Sequence, residues 1–154
     1  EAIRHYREAL RINPGHARAH RNLGVALSAQ GKPGEAIGHY LKALELNPEL
    51  AQAHYNLGTA LDEQGKLDEA VGHYREALRI NPDYAQARNN LGAALTAQGR
   101  LDEAIGHYLE AVRINPDYME AHYNLSTVLS SLGRHEQAAK HHRRALEIND
   151  SHSN

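Results

Sequence analysis

Residues 51–84 read AQAHYNLGTALDEQGKLDEAVGHYREALRINPDY, and residues 85–118 read AQARNNLGAALTAQGRLDEAIGHYLEAVRINPDY. The two segments share 25 of 34 positions. The period extends outward from them, because Asn-Pro stands at Asn13-Pro14, Asn47-Pro48, Asn81-Pro82 and Asn115-Pro116, each 34 residues after the last, with Asn149-Asp150 in the next slot. A fixed period of this length marks an array whose units bury their apolar faces only by stacking on neighbours.

Within residues 51–84, Ala53, Leu57, Ala60 and Leu61 recur at helical spacing; Gly65 interrupts, and Ala70, Tyr74, Ala77 and Leu78 resume the pattern. Each unit is therefore expected to be two helices. Asp68 and Asp102 stand where a cap would open the second helix, with Glu69 and Glu103 following where the helix dipole favours negative charge. Pro33 is placed for a first helical turn, and each Asn-Pro pair for a stop, since the residue before proline avoids the helical region. First helices are expected at 17–30, 51–64, 85–98 and 119–132, and second helices at 2–12, 34–46, 68–80, 102–114 and 136–148. Residues 1–16 then hold the second helix of a truncated preceding repeat; 17–50, 51–84, 85–118 and 119–152 are repeats, and 153–154 a tail. Opening at Glu1 inside a repeat, the chain reads as an excerpt of a longer one.

These residues resemble the tetratricopeptide repeat pattern W-x2-L-G-x2-Y, A-x3-F, P. Leu23-Gly24, Leu57-Gly58 and Leu91-Gly92 match its first part, Ala36-x3-Tyr40, Ala70-x3-Tyr74 and Ala104-x3-Tyr108 its second, and Pro48, Pro82 and Pro116 its end. The chain departs from the pattern at the Trp slot, which holds His20, His54, Arg88 and His122, and at the first Tyr slot, which holds Leu27, Leu61, Leu95 and Leu129. The last repeat is more polar, with Ser126 in the glycine slot and His135, Lys140 and His142 replacing the equivalents of Leu101, Gly106 and Tyr108. Both a terminal repeat and ordinary drift account for that.

The resemblance implies an all-α solenoid of antiparallel hairpins forming a right-handed superhelix, its concave wall lined by first helices and open to a peptide or a partner helix. The groove residues would then be Asn22, Asn56, Asn90 and Asn124, flanked by Arg21, Tyr55, Asn89 and Tyr123, with Arg18, Gln52 and Gln86 in the next row. The asparagine row resembles the ladder in the tetratricopeptide arms of O-linked sugar transferases. A carboxamide donates and accepts, so it can pair with a guest's peptide units whatever side chains the guest carries. Chaperone-binding relatives grip a terminal carboxylate with Lys and Arg in these rows, whereas Gln86, Asn90, Glu120 and Asn124 stand here. Two further roles follow from the sequence: recruiting arm of a larger enzyme such as a glycosyltransferase, or self-assembly through a first segment exposing Ala2, Tyr6, Ala9 and Leu10.

Composition narrows the remaining classes. A net charge of -2 gives no field for nucleic acid, and no apolar run reaches the ~20 residues of a membrane span. With no Cys there are neither disulfides nor thiolate ligands, which suits a reducing cytoplasm and the periplasm about equally; the compartment stays open, with the cytoplasm favoured. No nucleophile elbow or phosphate loop is present, so neither catalytic residues nor a cofactor are expected.

Five of twelve histidines, His5, His39, His73, His107 and His141, share one slot of the second helix. Equivalent positions in stacked hairpins lie roughly 10 Å apart, too far to hold one ion, so a solvated outer face is expected for them. His16 and His20 have a spacing that could share a metal, but no third ligand is near in sequence, and no metal site is expected. With all twelve histidines protonated the formal charge would swing from -2 to +10, so acid-sensitive binding or assembly is a further expectation. Gly38, Gly72 and Gly106 interrupt the second helices at a cost of ~1 kcal/mol each, either because another molecule packs there or because one ancestral unit was copied.

Overall fold

The computed structural model describes residues 1–152; the tail expected at 153–154 lies outside them. Among the described residues there are nine helices and no strand: α1 Ala2–Ile12, α2 Ala17–Ser28, α3 Pro33–Leu46, α4 Ala51–Glu63, α5 Leu67–Ile80, α6 Ala85–Ala97, α7 Leu101–Ile114, α8 Met119–Ser131 and α9 His135–His152. The chain forms two compact units, Glu1–Pro82 with α1 to α5 and a second that begins at Asp83 and holds α6 to α9. In the first, α2 pairs with α3 and α4 with α5; in the second, α6 pairs with α7 and α8 with α9. First helices also meet one another, α2 against α4 and α6 against α8. This is the all-α solenoid class.

Small residues let the helices close on each other. In α4 the buried set is Ala53, Leu57, Gly58, Ala60 and Leu61, and in α5 it is Ala70, Val71, Tyr74 and Ala77. The glycine matters because the tyrosine ring of the second helix lies flat against it. A Cβ built on Gly24, Gly58 or Gly92 would stand 2.5, 2.8 or 2.7 Å from Cε1 of Tyr40, Tyr74 or Tyr108. In the last hairpin the glycine slot is Ser126 and the tyrosine slot is His142, whose side chain is exposed. Where the ring is gone, the cut-out for it is gone too.

Each first helix ends on a glycine of positive φ, Gly31, Gly65, Gly99 and Gly133 at 72 to 76°. Lys66 N–H reaches back to Leu61 O (2.9 Å) and Gly65 N–H to Asp62 O (2.8 Å), the paired bonds of a Schellman end. Each second helix before α9 ends at Asn. Asn47 is extended before its proline, and its Oδ1 accepts from Glu49 N–H at 3.1 Å, as Asn13 does from Gly15 and Asn115 from Asp117.

Two expectations change. The second helices α5 and α7 begin at Leu67 and Leu101, so Asp68 and Asp102 sit inside the first turn rather than at the cap, where Lys66 and Arg100 stand without a capping side-chain bond. And α9 does not stop at 148 but runs to His152, because Asp150 replaces the proline that halts the other second helices.

Glycine substitutions should separate two roles. An added Cβ at Gly72 meets nothing within 4 Å, so Gly72→Ala is expected to stabilise by up to about 1 kcal/mol. Gly65 also has open space but a φ of +75°, so Gly65→Ala should destabilise by about 1–2 kcal/mol. Urea unfolding of the two variants checks the opposite signs.

Candidate functional site

In the first unit, α2 and α4 present one wall. Arg18 and Gln52 are exposed; Arg21, Asn22, Tyr55 and Asn56 are half-buried. The Arg21 guanidinium donates to Asn22 Oδ1 at 2.5 Å and to Gln52 Oε1, tying the two first helices together. Asn56 differs: its carboxamide has no hydrogen-bond partner among the described residues. It borders a cleft of about 130 Å³ lined also by Val25, Ser28, Tyr40, Tyr55 and Thr59. Burial raises the Asp62 carboxyl above its ordinary range on the same helix.

In the second unit, α6 and α8 form the corresponding surface. Gln86 and Tyr123 are exposed, and Asn90 and Asn124 half-buried. Asn89 departs from its expected place at the groove, since it is fully buried. Its Nδ2–H donates to Glu120 Oε1 (3.1 Å) and Asn90 Oδ1 (3.4 Å), and its Oδ1 accepts from Asn124 Nδ2–H (3.1 Å). Asn89 is a tie between first helices that orients Asn124 and Glu120, with no amide left for a guest. Beside Tyr123, the emptied tyrosine slot of the last hairpin opens a cleft of about 650 Å³ that reaches Ser126 and His142.

His5 is exposed, as the sequence suggests for the whole histidine row, but the other four are half-buried. His39, His73 and His141 are half-buried against the residues in the family's tryptophan slot. Nδ1 of His20 meets Nδ1 of His39 at 3.0 Å, His54 meets His73 at 3.1 Å, and His122 meets His141 at 3.0 Å. Ring centres 5.2 to 5.4 Å apart are what imidazoles meeting nitrogen to nitrogen give, so the rings touch edge to edge rather than face to face. The other nitrogen of each first-helix ring contacts a carbonyl of the preceding turn: His20 Nε2 to Pro14 O (2.9 Å), His54 to Pro48 O (3.0 Å), and His122 to Pro116 O (3.0 Å). Sequence inspection missed these pairs, although the signal was present: His recurs 19 residues after His in three repeats.

His16 and His20 do not converge on an ion. His16 Nδ1 accepts from Ala19 N–H as the cap of α2, and both nitrogens of His20 are engaged. Among the described residues no group of three His, Cys, Asp or Glu is arranged to hold a metal, and no helix is long and apolar enough to cross a membrane.

Stacked antiparallel hairpins, with glycine–tyrosine contacts inside and polar first-helix walls outside, define a helical-repeat protein. Profiles described as tetratricopeptide repeat match residues 1–51, 26–85, 55–118 and 95–154, and the chain belongs to that family. Among solved structures it is similar to MamA, at 27% identity over 98% of this chain and 88% of that one, with a TM-score of 0.89. It also shares its fold with MamA 41-end from Desulfovibrio magneticus RS-1 (24% identity, 97% and 84% covered, TM-score 0.86). Pseudomonas aeruginosa PilF is a further structural neighbour (24% identity, 93% and 65% covered, TM-score 0.87). No curated protein matches the chain.

Proposed function

We propose that the chain is a protein-interaction scaffold, with repeats 17–50, 51–84, 85–118 and 119–152, that takes an extended peptide or a partner helix against its first-helix walls. The observation carrying this reading is Asn56, a half-buried carboxamide at a cleft edge whose donor and acceptor are both unused among the described residues. A guest peptide unit satisfies both, as in the asparagine ladder this row resembles. Arg18, Arg21 and Gln52 beside it, and Gln86, Asn90, Tyr123 and Asn124 in the second unit, extend the polar surface that a guest meets. The wall's mixed charge suits a protein ligand better than a polyanion.

Peptides selected from a random library on the immobilised chain supply the test. Asn56→Ala is expected to weaken such a peptide by about 1 kcal/mol, while its thermal midpoint stays that of the wild type. Unchanged affinity by calorimetry would remove Asn56 from the binding surface and the reading with it.

A further inference from the structure

We propose that the three head-to-head histidine pairs are proton-operated latches, holding α2 to α3, α4 to α5 and α8 to α9 near neutral pH and letting go in mild acid. The geometry assigns every proton. A carbonyl only accepts, so His20, His54 and His122 must carry their hydrogen on Nε2, facing Pro14, Pro48 and Pro116. Their Nδ1 is then a bare lone pair, and His39, His73 and His141 must donate to it from Nδ1. Each latch joins three segments: the Asn-Pro turn, the opening of the first helix and the middle of the second.

Such a pair keeps its contact when one proton lands on the remaining Nε2 of the second-helix ring, at the expense of charging a half-buried site. A second has nowhere to go except the accepting Nδ1, where two N–H groups would face each other about 3 Å apart and the contact must open. The edge-to-edge approach leaves no space for a metal ion between the rings, so the shared particle is a proton.

The surroundings oppose charging. At the first pair, burial, His20 and Arg7 of α1 hold His39 below the ordinary imidazole range, against Glu35. At the second, burial and His54 hold His73 down, against Glu69 and Glu76. At the third, burial, His122 and Lys140 hold His141 down, with no carboxylate among the described residues opposing them. The native state therefore binds fewer protons than the unfolded chain, whose imidazoles titrate at about 6.5. This stabilisation is complete above that pH and is lost as pH falls from it towards the lowered native values. The α6–α7 hairpin, with Arg88 and His107 in the same slots, cannot share a proton in this way and is an internal control.

The latches are independent of what the walls bind, and the test needs no ligand. His20→Arg/His54→Arg/His122→Arg installs the residue that the third repeat already carries. Between pH 7.5 and 5.0 the wild-type thermal midpoint should fall by several degrees more than that of the triple variant. Long-range nitrogen–proton spectra of the wild type at pH 7.5 should show His20, His54 and His122 protonated on Nε2 and their partners on Nδ1. Equal midpoint shifts in the two proteins, or the reverse tautomers in the wild type, overturn the proposal; the spectra decide even where the variant fails to fold.

Discussion

Replacing Tyr74 with alanine is expected to lower stability by about 3–5 kcal/mol, the range for removing a buried aromatic ring. The ring is fully buried between α4 and α5, with its face on the backbone of Gly58. Its removal leaves a void that rigid glycine backbone cannot fill. The hydroxyl donates to Thr59 Oγ1 at 3.4 Å, near the outer limit of a hydrogen bond. Tyr74→Phe should accordingly cost less than about 1 kcal/mol. Urea unfolding of the two variants measures both, and a Phe variant as damaged as the Ala variant would shift the weight from packing to the hydroxyl.

Gly58→Ser is expected to cost about 1–3 kcal/mol by overpacking, because its Cβ would fall 2.8 Å from Tyr74 Cε1 and 3.3 Å from the Ala70 carbonyl oxygen. The protein itself suggests the remedy, since the last hairpin pairs Ser126 with an exposed His142. Combining Gly58→Ser with Tyr74→His should therefore cost less than the sum of the separate changes, with a coupling of about 0.5–3 kcal/mol. Strict additivity in the double-mutant cycle would mean that ring and glycine are not a matched pair.

The fold was legible because a 34-residue period repeats its own punctuation. Asn-Pro stops, positive-φ glycines and Leu-Gly pairs are local signals, and each acts through backbone chemistry that needs no knowledge of neighbours. The length of α9 was misjudged as ending at 148, although the missing proline at position 150 carried the signal. The wall was legible only as a row of positions. Asn89 and Asn90 are adjacent amides, and which of them is buried depends on the rotation of α6 against α8, where Glu120 and Asn124 draw Asn89 inward. The histidine pairs lie in different helices, and a periodicity taken one helix at a time gives each ring a face without giving it a partner. Surface ion pairs between hairpins, such as Arg79 with Glu49 (2.6 Å) and Arg144 with Asp117 (2.5 Å), were equally hidden, but exposed pairs of this kind add little.

The glycine under each tyrosine has a mechanical consequence. α2, α4 and α6 each contain a single glycine, so only one position along each of these helices admits the ring. Sliding one helix past the other by a turn would drive the ring into a Cβ, and the hairpin is keyed to one alignment. Residues on the wall can then vary freely in charge and size while the frame presenting them keeps its dimensions, which lets recognition diversify without renegotiating the architecture.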